Sequence, residues 1–299
     1  MGTQGIIQED HFVSLGEERL FIKRFCGSAD GPVVFMLHGS IENGRIFYSK
    51  SGKGLAPWLA GKGYDVFVCD MRGKGRSTPP TGRGAAYGLM DAIKEEVPML
   101  LDYVEKVRPG APMHWMAHSW GGVTLLSFLA RWPDRKPRSM TFFGTKRQIN
   151  IRSFRKFVNV DIMYTFAAAL VKRLYGYLPA RSLKFGSDNE SSKLHSETRR
   201  WVQGPWTDFD DGFDYGRAVN RAELPPTLHI AAINDEYLGH PEDVQRLIKE
   251  VGEHPHEFIV LSKENGNRHD YDHINMLTHP DALTDHFPTV LRWLKEHSL

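Results

Sequence analysis

Ser119 lies at the centre of Ala-His-Ser-Trp-Gly, between an apolar strand-like run at 113–116 and a helix-like run at 123–131. A serine hydroxyl is a poor nucleophile at its own pKa and attacks a carbonyl only when a base removes its proton. A sharp strand-to-helix turn meets a second need: it lifts the hydroxyl clear of the sheet and leaves the next backbone N–H free to bind an oxyanion. Only small side chains fit two positions before and two after such a serine, and here they are Ala117 and Gly121. Alanine replaces the first glycine of the Gly-x-Ser-x-Gly form, a mild departure because it is the next smallest residue. The same serine would also serve as an ordinary helix N-cap, so other segments have to decide.

Three of them carry what acyl transfer needs. His38-Gly39-Ser40 follows the apolar run 33–37, Asp235 follows the run 226–233, and His273 lies in Tyr-Asp-His-Ile-Asn-Met at 271–276. Together with the strand-and-turn segment at 64–77, these segments resemble the α/β-hydrolases over nearly the whole chain, the late histidine segment being similar to that of lipases and esterases. The order serine, acid, histidine is theirs, unlike the orders of chymotrypsin-like or subtilisin-like enzymes. The resemblance implies that Ser119 is the nucleophile and that His273 takes its proton and returns it to the leaving group. It implies that Asp235 fixes the imidazole tautomer, while the N–H groups of Ser40 and Trp120 form the oxyanion hole, with Ile41 as a neighbouring alternative. His269 is a rival base, but the Asp-His-Ile-Asn-Met pattern is in phase only at His273. Glu236 and Asp243 are rival acids; some members keep the acid after the preceding strand, where this chain reads Phe-Gly-Thr-Lys at 143–146 with no carboxylate. His38 and His118 read as residues that shape the turns, Asp70 and Arg72 as ties for the loop beside the oxyanion hole.

To position these groups, residues 11–25 read as a hairpin turning at Gly16-Glu17-Glu18. Strands at 33–37, 66–70, 113–117 and 139–143 alternate with helices at 55–62, 86–107 and 123–131, which indicates a parallel sheet covered on both faces. The alternation stops after Thr145. It resumes with a strand at 227–233, a helix at 242–251, a strand at 257–261 and a last helix near 281–297. The expected architecture is an α/β-hydrolase core at 1–145 and 218–299, interrupted by a helical cap insertion at 146–217. That insertion shows no convincing strand and is rich in aromatics (Phe154, Phe157, Tyr164, Phe166, Tyr175, Tyr177, Trp201, Trp206, Phe209, Phe213). These are expected to build its own core and its seam with the sheet, a few lining an apolar acyl pocket. Twelve Lys or Arg stand against four acids between Lys146 and Arg200, which reads as a solvated basic face or, more pointedly, a site for an anionic substrate group or membrane surface.

Composition bounds the rest. At 299 residues, 41% hydrophobic and 25% charged, the chain is ordinary for a globular protein. A net charge of +2 gives no reason to expect nucleic-acid binding. No secretory signal opens the sequence, and the longest apolar stretch, near 162–171, is too short to span a bilayer. Cys26 and Cys69 read as buried thiols, which suits a reducing cytoplasm. Neither a phosphate-binding glycine motif nor metal-ligand spacing occurs, so no cofactor or metal is expected. The function expected is cleavage of a carboxylic ester of a small molecule through an acyl-enzyme, with short-to-medium acyl groups. Thioesterase, amidase and acyltransferase activities stay open on the same triad; from a different class, so does a catalytically idle binding or receptor module. Substrate-binding residues and oligomeric state are not readable.

Overall fold

The computed structural model describes residues 5–151 and 168–298. Its first two strands, β1 (Ile7–Leu15) and β2 (Glu18–Cys26), pair antiparallel around Gly16, whose φ of +62° is a left-handed turn that glycine adopts without penalty. Then come β3 (Val33–Leu37), α1 (Leu55–Ala60), β4 (Asp65–Asp70), α2 (Leu89–Asp91), α3 (Val97–Val107), β5 (Met113–His118), α4 (Trp120–Arg131) and β6 (Ser139–Phe143). After residue 167 the chain forms α5 (Ala168–Tyr175), β7 (Tyr177–Leu178), β8 (Glu190–Ser191), α6 (Ser192–Gln203) and α7 (Tyr215–Arg221). It ends with β9 (Thr227–Ala232), α8 (Pro241–Glu250), β10 (His256–Leu261), α9 (Asn275–Thr278) and α10 (Phe287–Glu296).

Eight strands make one sheet in the order β1-β2-β4-β3-β5-β6-β9-β10. From β4 to β10 every pairing is parallel; only the β1–β2 hairpin and its junction with β4 are antiparallel. Strands β3, β4 and β6 are buried along their whole length because both of their faces are covered. Along β3, Val33, Phe35 and Leu37 join the core beneath α3 and α4, while Val34 and Met36 join the core beneath α1 and α10. Helix α4 is buried from Trp120 to Ala130, which explains why it is apolar all round rather than amphipathic.

Three details depart from the expectations. The helix expected from 86 begins at Leu89 and passes through a π-helical turn, Ala92–Glu96, whose buried Glu96 accepts the Arg72 N–H at 2.8 Å. The last helix is divided into a 3₁₀ turn, Pro280–Leu283, and α10, which has proline in its first turn. Within 146–217, β7 and β8 pair antiparallel where no strand was expected, since two-residue strands leave no period-2 signal. Trp201, Trp206 and Tyr215 join the core that holds α4, and the Trp206 indole donates to Ser127 Oγ at 3.0 Å, so these aromatics pack against α4. Phe154, Phe157, Tyr164 and Phe166 lie outside the described residues. Cys26 and Cys69 are buried free thiols, and among the described residues no helix is long and apolar enough to cross a membrane.

Candidate active site

Four parallel strands deliver the candidate residues to one edge of the sheet. The loops after β3, β5, β9 and β10 all leave from carboxyl ends, where ligands bind in open α/β sheets. Ser119 occupies the sharp turn between β5 and α4 at φ 52°, ψ −123°, a strained conformation for a residue with a side chain. Its hydroxyl makes no N-cap bond, so the ordinary capping role does not apply. The turn is held by the Ser119 N–H, which donates to the Phe143 carbonyl at 2.8 Å. A Cβ at Gly121 would stand 2.5 Å from the His38 carbonyl oxygen, and one at Gly39 would stand 2.8 Å from the Ser119 Cβ. Glycine is therefore required where the elbow and the His38 loop pack against each other.

In that loop Ile41 also has a left-handed φ, +47°, costly for a β-branched residue. His38 donates from Nδ1 to the Gly39 carbonyl at 2.7 Å and accepts the Met71 N–H on Nε2 at 3.1 Å. Burial lowers its pKa to about 4, so it is a neutral strut. Asp70 accepts the N–H groups of Gly44 at 2.7 Å and Arg76 at 2.9 Å, tying the loop as expected. Trp120 opens α4, where first-turn N–H groups have no helical partner, and the Ser40 N–H lies in the loop packed against it.

The structure brings His273, and not His269, to Asp235. His273 Nδ1 and Asp235 Oδ2 are 2.5 Å apart and both residues are buried. His269 instead pairs with Asp281 at 2.7 Å near the surface. Asp243 accepts the Asn150 N–H at 3.0 Å and is not the partner of either ring. The Asp235 and His273 loops are fastened together by Asn234, whose backbone and side-chain N–H groups donate to the carbonyls of Tyr271 and Asp270, each at 2.9 Å. Burial raises the Asp235 carboxyl, but the facing His273 and the backbone donors outweigh it and hold Asp235 below the ordinary carboxylate range. Burial lowers the His273 imidazole below its usual value despite Asp235, with His118 and Lys146 adding to the fall. At neutral pH the ring is thus a free base with its Nδ1–H directed to Asp235, and Nε2 makes no hydrogen bond among the described residues.

A second carboxylate–histidine pair was not legible in the sequence. Glu42 Oε1 accepts both the Gly39 N–H and His118 Nδ1–H, the latter at 2.7 Å, and His118 Nε2–H donates to the His273 carbonyl at 2.8 Å. Both ring nitrogens face acceptors, so His118 is an imidazolium; burial works against that charge, but Glu42 raises the pKa overall. His118 does more than shape the turn: it links the oxyanion loop to the candidate base. The fold also gathers donor atoms of His269, His279 and Asp281 within 4.8 Å of one another, which no sequence spacing announced.

The chain is similar to known proteins in sequence and in fold. The family model described as serine aminopeptidase, S33 (Hydrolase_4), matches residues 29–204, more than half of the chain. Gastric triacylglycerol lipase of Homo sapiens is 24% identical over 164 residues, 52% of this chain and 41% of that protein. Probable oxidoreductase EphD of Mycobacterium tuberculosis is 29% identical over 116 residues, 39% of this chain and 18% of that protein. The chain thus spans less than half the length of these two relatives. A monoacylglycerol lipase structure from Paleococcus ferrophilus superposes with a TM-score of 0.59 at 19% identity, over 93% of this chain and 99% of the other. The chain has the α/β-hydrolase fold and belongs to the serine aminopeptidase S33 family.

Proposed function

We propose that this protein cleaves a carboxylic ester through an acyl-enzyme, with Ser119 as nucleophile, His273 as general base and acid, and Asp235 as its orienting carboxylate. The observation that carries the reading is the buried His273–Asp235 bond at 2.5 Å, made beside a serine held in a strained elbow. His273 would take the Ser119 proton as the hydroxyl attacks the carbonyl carbon, and return it to the departing alkoxide. The N–H groups of Ser40 and Trp120 would receive the tetrahedral oxyanion, a contribution of about 3–4 kcal/mol for each donor. Water activated by the same ring then releases the acid. The name of the gastric triacylglycerol lipase supports an ester, beside a family description that names an aminopeptidase and a similar structure that is a thioesterase domain.

Residues 146–217 are read as a cap over this edge, between core segments 1–145 and 218–299. Supporting that, the Asp188 N–H donates to the Ile41 carbonyl at 3.1 Å and Lys74 Nζ donates to the Asn189 carbonyl at 2.7 Å, so 188–189 lie on the oxyanion loop and its neighbour. A cap of this modest size suits a short-to-medium acyl chain. Residence in the cytoplasm is part of the same reading, on the two free thiols. Labelling with a fluorophosphonate, followed by p-nitrophenyl esters from acetyl to dodecanoyl, tests it. Labelling that survives Ser119→Ala would overturn the nucleophile, and a flat chain-length profile would remove the cap from the acyl pocket.

A further inference from the structure

Lys146 is a buried cation for which the reading above has no use. Gly144, at φ +56°, brings the chain after β6 so close to His273 that a Cβ there would stand 2.9 Å from the ring, and Thr145 fills the space over Gly122. Lys146 is thereby delivered between the elbow helix and the Asp235 loop. Its Nζ lies 5.5 Å from the centre of the Trp120 ring, and the residue is 2% exposed. Among the described residues no carboxylate approaches the ammonium within 4.0 Å and no acceptor hydrogen-bonds it. The three acids whose fields reach it, Asp235, Asp243 and Glu42, are committed elsewhere. Asp235 holds His273 and the Leu238 N–H, Asp243 holds the N–H groups of Asn150 and Ile151, and Glu42 holds His118 and the Gly39 N–H. Adjacent Arg147 shows the contrast: it is fully used by Glu250 and by the carbonyls of Trp201 and Gly204.

Burying a cation with only an aromatic face to meet it, and no anion or hydrogen-bond acceptor, is unfavourable and leaves an electrostatic deficit at that spot. We propose that Lys146 is the subsite for an anionic group of the substrate, a carboxylate carried by the ester close to the scissile bond and seated over Trp120. The proposal rests on Ser119 being the nucleophile of an ester hydrolase. A carboxylate arriving there would restore the pairing that the protein withholds, and its position beside the elbow ties charge recognition to the reacting carbonyl. Burial pulls the ammonium down to about 8, which keeps it charged at neutral pH and makes it gain most from an incoming anion.

The test compares kcat/KM for monomethyl glutarate with methyl valerate (carboxylate on the acyl side) and for 3-butanoyloxypropanoate with butyl butanoate (carboxylate on the alcohol side). One of the two pairs should show a preference for the anionic ester, identifying the side. Lys146→Met and Lys146→Gln should each reduce that ratio by about 10- to 100-fold, the worth of one charge-assisted bond, and Lys146→Arg should keep part of it. Calorimetry of glutarate binding reads the same cation without turnover, and thermal unfolding checks that the variants are folded. Unchanged ratios in both pairs, with glutarate binding no weaker in Lys146→Met, overturn the proposal. Glutarate binding that needs Lys146, combined with ester hydrolysis that survives Ser119→Ala, would keep the anion site and remove the ester-hydrolase reading instead.

Discussion

Two carboxylate–histidine pairs stand side by side at the edge of this sheet, their rings 4.5 Å apart, and they are in opposite protonation states. Asp235 faces Nδ1 of His273 and Glu42 faces Nδ1 of His118, with all four side chains buried. The difference lies at the other nitrogen. His118 Nε2 meets the His273 carbonyl, an acceptor that can only be served by a second proton, whereas His273 Nε2 meets no protein acceptor among the described residues. The His118 pKa is accordingly raised and the His273 pKa lowered. A carboxylate on Nδ1 does not by itself make a base; what the far nitrogen faces decides whether the ring carries charge or exchanges it.

This contrast is best tested by the losses on each side of it. His273→Ala should cost the most activity, on the order of 10⁶-fold in kcat, with Asp235→Asn near 10⁴-fold. Glu42→Gln leaves the triad residues in place, acts through the position and field of His118, and should cost about 10²-fold or less. Steady-state kinetics on one ester would show it, and equal losses in Glu42→Gln and Asp235→Asn would erase the distinction. Stability should follow the opposite order: Glu42→Ala leaves the buried His118 ring and the Gly39 N–H without their acceptor and should cost about 3–5 kcal/mol in chemical denaturation.

The pH dependence is the next smaller effect. In the wild type kcat/KM should rise with pH as His273 loses its proton, with the limb below the ordinary imidazole value of 6.5. The His118 cation helps to depress His273, so Glu42→Gln, which releases that cation's proton, should move the limb to higher pH. A limb that stays in place would mean that His118 is neutral. The smallest effect is on thermal unfolding. Because the His118 pKa is raised on folding, its contribution to stability is complete below the unfolded value near 6.5 and fades as pH rises through the folded value. Glu42 is lowered, so its contribution is present above 4.5 and fades as pH falls through its folded value. The melting temperature of Glu42→Gln should therefore vary less with pH than that of the wild type, by a few degrees.

What could be read from the sequence was what local sterics impose. Gly121 announces the elbow because the His38 carbonyl leaves no room for a side chain there. The phase of Asp-His-Ile-Asn-Met separates His273 from His269, and the mostly apolar runs of β3, β4 and β6 announce a parallel sheet with both faces covered. Glu42 could not be found in this way, since its bond to His118 joins residues 76 apart and depends on how two loops meet. Lys146 was passed over for a related reason: the segment after β6 was read for a carboxylate, and a cation acquires meaning there only once its burial and the commitments of Asp235, Asp243 and Glu42 are known. The strands β7 and β8 and the break before α10 are local choices made by packing and by proline.

The bond from His118 to the His273 carbonyl spans 155 residues of sequence. At roughly 5–20 residues per second on a ribosome, Ser119, the loop at His38 and the Glu42–His118 pair have been synthesised for about 8–30 s before the residue that completes them is made. A nascent chain therefore carries its serine without its base through that interval, and His118, not yet bonded to its carbonyl, has no reason to hold its second proton. Synthesis itself separates the two histidines in time, and their different protonation states are set only when the last loop arrives.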